Sequence, residues 1–170
     1  TVASGTADDE IAADINALNG YMSDASKAAC DKKLGTWIHI GGTAYRMTLP
    51  NPKWTVDGDE PPLKLYALDP RNTFVVRRRD VDETPLMGIH YVQRERGERQ
   101  FGVYTENFYY EFLEFGEVVV QPNPLGMIPI VEYVRDNARL GVYEVALSLL
   151  DALDELQSNR MDDVVQFVNS

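Results

Sequence analysis

Apolar and polar positions change their period twice along this chain. From Asp8 or Asp9 to Leu34, the residues Ile11, Ile15, Leu18, Met22, Ala25, Ala29 and Cys30 recur at helical spacing. Asp8, Asp9 and Glu10 sit at the positive end of the helix dipole and Lys32 and Lys33 at the negative end. One N-terminal helix is predicted, with Gly35 ending it in a left-handed cap. The pattern then turns to β: Trp37-Ile38-His39-Ile40, a Gly41-Gly42 interruption, and Ala44 to Leu49. Pro50 to Pro62 is a proline-, glycine- and aspartate-rich loop. Strands are predicted at Leu63 to Leu68 and Thr73 to Val76, joined by the turn Leu68-Asp69-Pro70-Arg71-Asn72. Met87 to Arg94 and Gln100 to Thr105 pair through Arg96-Gly97, and Phe108 to Phe112 pairs with Glu117 to Gln121 through Phe115-Gly116-Glu117. After the turn Asn123-Pro124-Leu125-Gly126, a strand runs from Met127 to Tyr133, and Pro129 places it at an edge or a strand start.

From about Gly141 the period becomes helical again. Val142, Val145, Leu149, Leu153, Leu156, Val164 and Val168 form a stripe with one wider gap around Arg160, while Asp151, Asp154, Glu155, Asp162 and Asp163 occupy the other face. Continuous to Ser170, such a helix is roughly 45 Å long. A stripe of that length exceeds what the small β body can cover, so another helix or a neighbouring subunit is expected to face it. Apolar residues crowd the last turn and Thr1 is not a start methionine, so both ends read as cuts through a longer protein. The expected fold is α+β: an N-terminal helix, a mostly antiparallel body of six to eight strands and a long C-terminal amphipathic helix.

The C-terminal 48 residues resemble the strand-to-stem segment of portal proteins of tailed double-stranded-DNA bacteriophages, of the kind common in siphophages and prophages of Gram-positive bacteria. The resemblance rests on Asn123, Pro124 and Gly126 before Ile128-Pro129-Ile130-Val131, then Asn137, Leu150-Asp151, Ser158-Asn159-Arg160, and Asp162 with Phe167. Gly42, Ala44 and Tyr45, and the run from Asp69-Pro70-Arg71-Asn72 to Phe74-Val75-Val76, are similar to segments of the portal wing. The resemblance implies that residues 1–135 are a wing-like α+β domain and 136–170 the start of a stem helix. Clip, second stem helix, tunnel loop and crown would follow. It further implies a non-enzymatic ring of twelve copies at a capsid vertex of the virion, made in the bacterial cytoplasm, through which the genome enters and leaves. The implied partners are further copies of the chain, a terminase that supplies the ATP, capsid and head–tail adaptor proteins, and DNA that passes without sequence-specific binding. Asp151, Asp154, Glu155, Arg160, Asp162 and Asp163 are the candidates for facing such a channel.

Charge and composition narrow the alternatives. The net charge of -11 disfavours a duplex-gripping protein, which needs cations to displace counterions from phosphate, and suits a conduit that must not hold DNA. A single cysteine, Cys30, rules out an intrachain disulfide and a thiolate cluster. No apolar run is long enough for a membrane span, and no cofactor motif of the phosphate-loop or dinucleotide type is present. His39 and His90 fall in different predicted strands without a third ligand at metal spacing. Arg77-Arg78-Arg79 stands beside Asp80, Asp82 and Glu83, so local ion pairing is the commoner reading than nucleic-acid contact. Two other functions are compatible with the residues: a carboxylate-dependent hydrolase using paired acids of the long helix, and a generic non-catalytic phage interaction module. The first needs a pocket that raises a carboxyl pKa.

Overall fold

The computed structural model describes residues 9–58, 60–93, 99–113 and 116–168. Two helices, α1 (Asp9–Asp24) and α2 (Lys27–Gly41), open the chain. Eight strands follow: β1 (Thr43–Pro50), β2 (Leu63–Leu68), β3 (Thr73–Arg77), β4 (Pro85–Gln93), β5 (Arg99–Tyr104), β6 (Phe108–Phe112), β7 (Val118–Pro122) and β8 (Ile130–Val134). A 3-10 turn at Glu144–Ala146 leads into α3 (Leu147–Val168). The architecture is α+β, as expected from the pattern.

The strands form two antiparallel sheets, a small one ordered β2-β1-β8 and a larger one ordered β3-β4-β5-β6-β7. β1 is the centre of the small sheet and is covered on both sides. Ala44 faces α2, where Cys30, Leu34, Trp37, Ile38, Leu65, Ala67 and Tyr133 close around it. The alternate residues Tyr45 and Met47 face the larger sheet, meeting Leu68, Ile130, Val75 and Tyr104. The molecule is therefore layered as helix, small sheet and large sheet. The sheets approach closely at Gly88, where a Cβ would lie 3.0 Å from Ile130 and 3.1 Å from Ile128. β8 is an edge strand, and Pro129 immediately before it accepts a hydrogen bond from the Thr48 N–H (3.0 Å).

Three sequence expectations are corrected in the N-terminal region. The predicted single helix is two, broken at Ala25-Ser26, where Ser26 takes a left-handed φ of 56°. The helix does not stop at Gly35, and Trp37 to Ile40 is helical rather than extended. Cys30, Leu34, Trp37 and Ile38 continue one seam at steps of four, three and one residues, and burial of that seam against the small sheet outweighs the β preference of a short aromatic and β-branched run. The left-handed cap belongs to Gly42 (φ 69°), whose N–H donates to the Ile38 carbonyl at 2.9 Å. The turn expected at Arg96-Gly97 and the Phe115 part of the second hairpin turn lie outside the described residues. The Asn123–Gly126 turn forms as predicted: Gly126 has φ 60°, and the Asn123 side chain takes the Leu125 N–H while donating to the carbonyls of Thr105 (2.7 Å) and Met127 (2.8 Å).

A candidate channel-facing helix and its root

α3 begins later than the pattern suggested, because residues 141–143 are used elsewhere. The Val142 N–H donates to the His39 carbonyl at 2.8 Å, and Gly141 lies so close to the end of α2 that a Cβ would come within 2.0 Å of the Ile40 oxygen. Val142 therefore precedes the helix and Val145 sits in the 3-10 turn. The 22 residues of α3 give a rod of about 33 Å rather than the longer one expected.

The helix stands clear of the body. Leu149, Leu153, Leu156, Val164 and Val168 are all exposed, Leu156 to 65% and Val168 to 75%. At about 100° per residue, Asp151, Glu155 and Asp162 share one narrow face, opposite Leu149, Leu153 and Val164. Asp154 lies at the margin of the stripe, near Leu150 and Met161 by helical spacing. Arg160 is separated from the acids: it is four residues from both Leu156 and Val164 and falls within the apolar stripe. The side chain of Asp163 lies outside the described part. None of Asp151, Asp154, Glu155, Arg160 and Asp162 forms an ion pair with another described residue. Two grooves, one of about 370 Å³ beside Arg77 and Glu132 and one of about 310 Å³ between α1 and α2, include no residue of α3.

The site that pattern reading missed is at the root of this helix. Glu132 on β8 has a side chain only 2% exposed, yet it accepts from three partners: Arg139 (2.7 and 3.3 Å), the Tyr45 hydroxyl (2.9 Å) and Arg77 (3.2 Å). Burial alone would raise its carboxyl pKa, but the hydrogen bonds from Arg139, Tyr45 and Arg77 and the positive charge of Arg139 hold it below the usual value. Tyr45, buried and bonded to that carboxylate, is pushed up to about 12. Arg77 thus leaves the expected local pairing for a carboxylate 55 residues away, whereas Arg78 does pair locally with Asp80 at 3.4 Å. The histidines have separate duties. His39, in a helix rather than a strand, bonds through its ring to the Gly35 carbonyl (2.6 Å), and His90 shares a hydrogen bond with Thr73 (2.8 Å). Among the described residues no group of three or more His, Cys, Asp or Glu is placed to hold a metal ion. Nor, among them, is any helix long and apolar enough to cross a membrane.

The family model for phage portal proteins of the SPP1 Gp6-like kind matches residues 5–170. The chain belongs to the phage portal family. The match spans the two-sheet body and α3 together, so the portal resemblance of the C-terminal segment extends over nearly the whole chain. Individually curated proteins give no match to this portal chain.

Proposed function

We propose that this chain is a structural portal subunit that joins further copies, twelve in the closed assembly, to form the ring through which viral double-stranded DNA is packaged and ejected. In that reading residues 1–135 are the wing-like body and residues 136–170 the root and first part of the stem. The observation that carries it is α3 itself, an amphipathic helix whose apolar stripe its own body leaves in water. With the stripe turned toward neighbouring helices, Asp151, Glu155 and Asp162 border the opening, where like charge keeps a duplex from adhering. Asp154 lies at the edge of that face, and Arg160, set in the apolar stripe, goes with the subunit contact.

The remaining partners follow from the same role: a terminase, capsid proteins and head–tail adaptors at the virion vertex. The hydrolase alternative draws no support from the described residues, since Asp151, Asp154, Glu155 and Asp162 are exposed and neither groove described above includes a residue of α3. Electron micrographs of the complete gene product test the reading. Rings of uniform subunit number are expected, and replacing Asp151, Glu155 and Asp162 together by lysine should leave the rings intact while slowing DNA passage in a packaging assay. A monodisperse monomer, or rings whose DNA passage ignores the three charges, would overturn it.

A further inference from the structure

The loop between β8 and α3 is held at more points than its length requires. It returns to the C-terminal end of α2 twice: the Arg135 N–H donates to the Gly42 carbonyl at 2.9 Å and the Val142 N–H to that of His39 at 2.8 Å. The first of these bonds continues the β1–β8 register by one residue past Thr43 and Val134, and the His39 carbonyl is among those a helix end leaves without an internal partner, so the loop helps complete α2 while α2 seats the loop. Between the two anchor points the Asp136 carboxylate takes the N–H groups of Ala138 and Arg139, both at 3.0 Å, and the Arg135 guanidinium donates to the Leu140 carbonyl at 3.2 Å. A Cβ on Gly42 would lie 2.4 Å from the Arg139 backbone, so glycine is what lets the two main chains touch. Arg139 adopts a left-handed φ of 55°, which a non-glycine residue holds only when its surroundings fix it. Holding it are the Asp136 bonds to its N–H and the forked pair of bonds from its guanidinium to Glu132, the same buried carboxylate that ties β1 through Tyr45 and β3 through Arg77.

Beyond this loop little else steers α3, whose residues are exposed along its described length. We infer that Glu132 and Arg139 are positioning residues that aim α3: one buried carboxylate locks both sheets and the loop into a single joint, which sets the angle at which the helix leaves the body. The joint is a property of this chain and holds whether or not the ring forms. Within a ring its use is plain, because copies whose helices already leave at one angle lose less freedom on assembly.

The experiment is a distance measurement between spin labels on the full chain, with Cys30→Ala to remove the native thiol and cysteines introduced as Gln121→Cys on β7 and Gln157→Cys on α3. The labelled chain is diluted in unlabelled chain so that only intramolecular distances are read. A single narrow distance distribution is expected. Arg139→Ala, which removes an arginine half exposed to solvent and leaves Glu132 with Tyr45 and Arg77, should widen the distribution at least twofold while amide protection in β1 persists. Arg139→Lys, which keeps the charge but not the fork, should restore part of the sharpness, and Glu132→Gln should give an intermediate width. An unchanged distribution in Arg139→Ala would refute the joint. Loss of β1 protection in the same variant would also refute it, by showing that the pair holds the core rather than aiming the helix.

Discussion

α2 and α3 teach opposite lessons about an amphipathic pattern. α2 has the poorer stripe, interrupted by Gly35 and by two lysines, yet its seam is sealed against the small sheet, with Leu34 only 6% exposed. α3 has the longer stripe, running six turns with Arg160 set into it, yet Leu156 is 65% exposed. The period of a sequence states which residues want to leave water, and it says nothing of whether the covering surface belongs to the same chain. For α2 the cover is the nearby β1–β2 pair and β8. For α3 the portal reading assigns it to neighbouring copies.

The contrast is sharpest in truncation. Leu34→Ala should cost about 2–5 kcal/mol of unfolding free energy, the usual range for truncating a buried leucine to alanine. Chemical denaturation of the chain at micromolar concentration measures it. Equal losses for Leu34→Ala and Leu156→Ala in a monomeric sample would break the comparison. Gly42→Ala tests the point where α2 meets the root of α3. The new methyl group would collide with the Arg139 backbone at a positive φ, and a loss of roughly 1–2 kcal/mol or more is expected from such an incompatible site. Retention of the wild-type midpoint would mean that loop and helix end are not in contact.

The third effect is smaller and set by pH. Glu132 has a folded pKa below its unfolded value, so its contribution is fully present above about pH 4.3 and is lost as pH falls through the folded pKa. Denaturant midpoints taken from pH 6 down to pH 3 should therefore fall less steeply in Glu132→Gln than in the parent chain; identical slopes would remove Glu132 from the acid response. Smallest of all is Leu156→Ala, expected to change the stability of the isolated chain by under about 0.5 kcal/mol while weakening self-association. Sedimentation velocity separates the two readouts, and an assembly indifferent to Leu156 would uncouple the stripe from the subunit contact.

The strands are legible because each is a run of five or more residues, most of them rich in β-branched or aromatic side chains, and several are bounded by a turn with its own chemistry, as at Asp69-Pro70-Arg71 and Asn123–Gly126. Trp37 to Ile40 reads as a strand because three apolar residues around one histidine do not distinguish a strand from the end of a helix, and only the sheet against which Trp37 and Ile38 pack decides. The acids of α3 could be named from the sequence but not sorted, since the face shared by Asp151, Glu155 and Asp162 and the opposite placement of Arg160 emerge once helix limits are known. Glu132 was invisible in any local window: its partners stand 7, 55 and 87 residues away. A lone acid within an apolar edge strand, Ile130-Val131-Glu132-Tyr133-Val134, was the one signal available, because a carboxylate facing a core needs cations to meet it there.

The seam of α2 also contains the chain's single thiol. Cys30 is 8% exposed, and burial together with the adjacent Asp31 carboxylate pushes its pKa up, so a soluble alkylating reagent reaches a reactive thiolate only when the helix lifts from the sheet. Its labelling half-life is therefore a built-in gauge of how often that layer breathes. Read on free chains and again on assembled particles, the same atom would report whether neighbours stiffen a part of the subunit they need not touch.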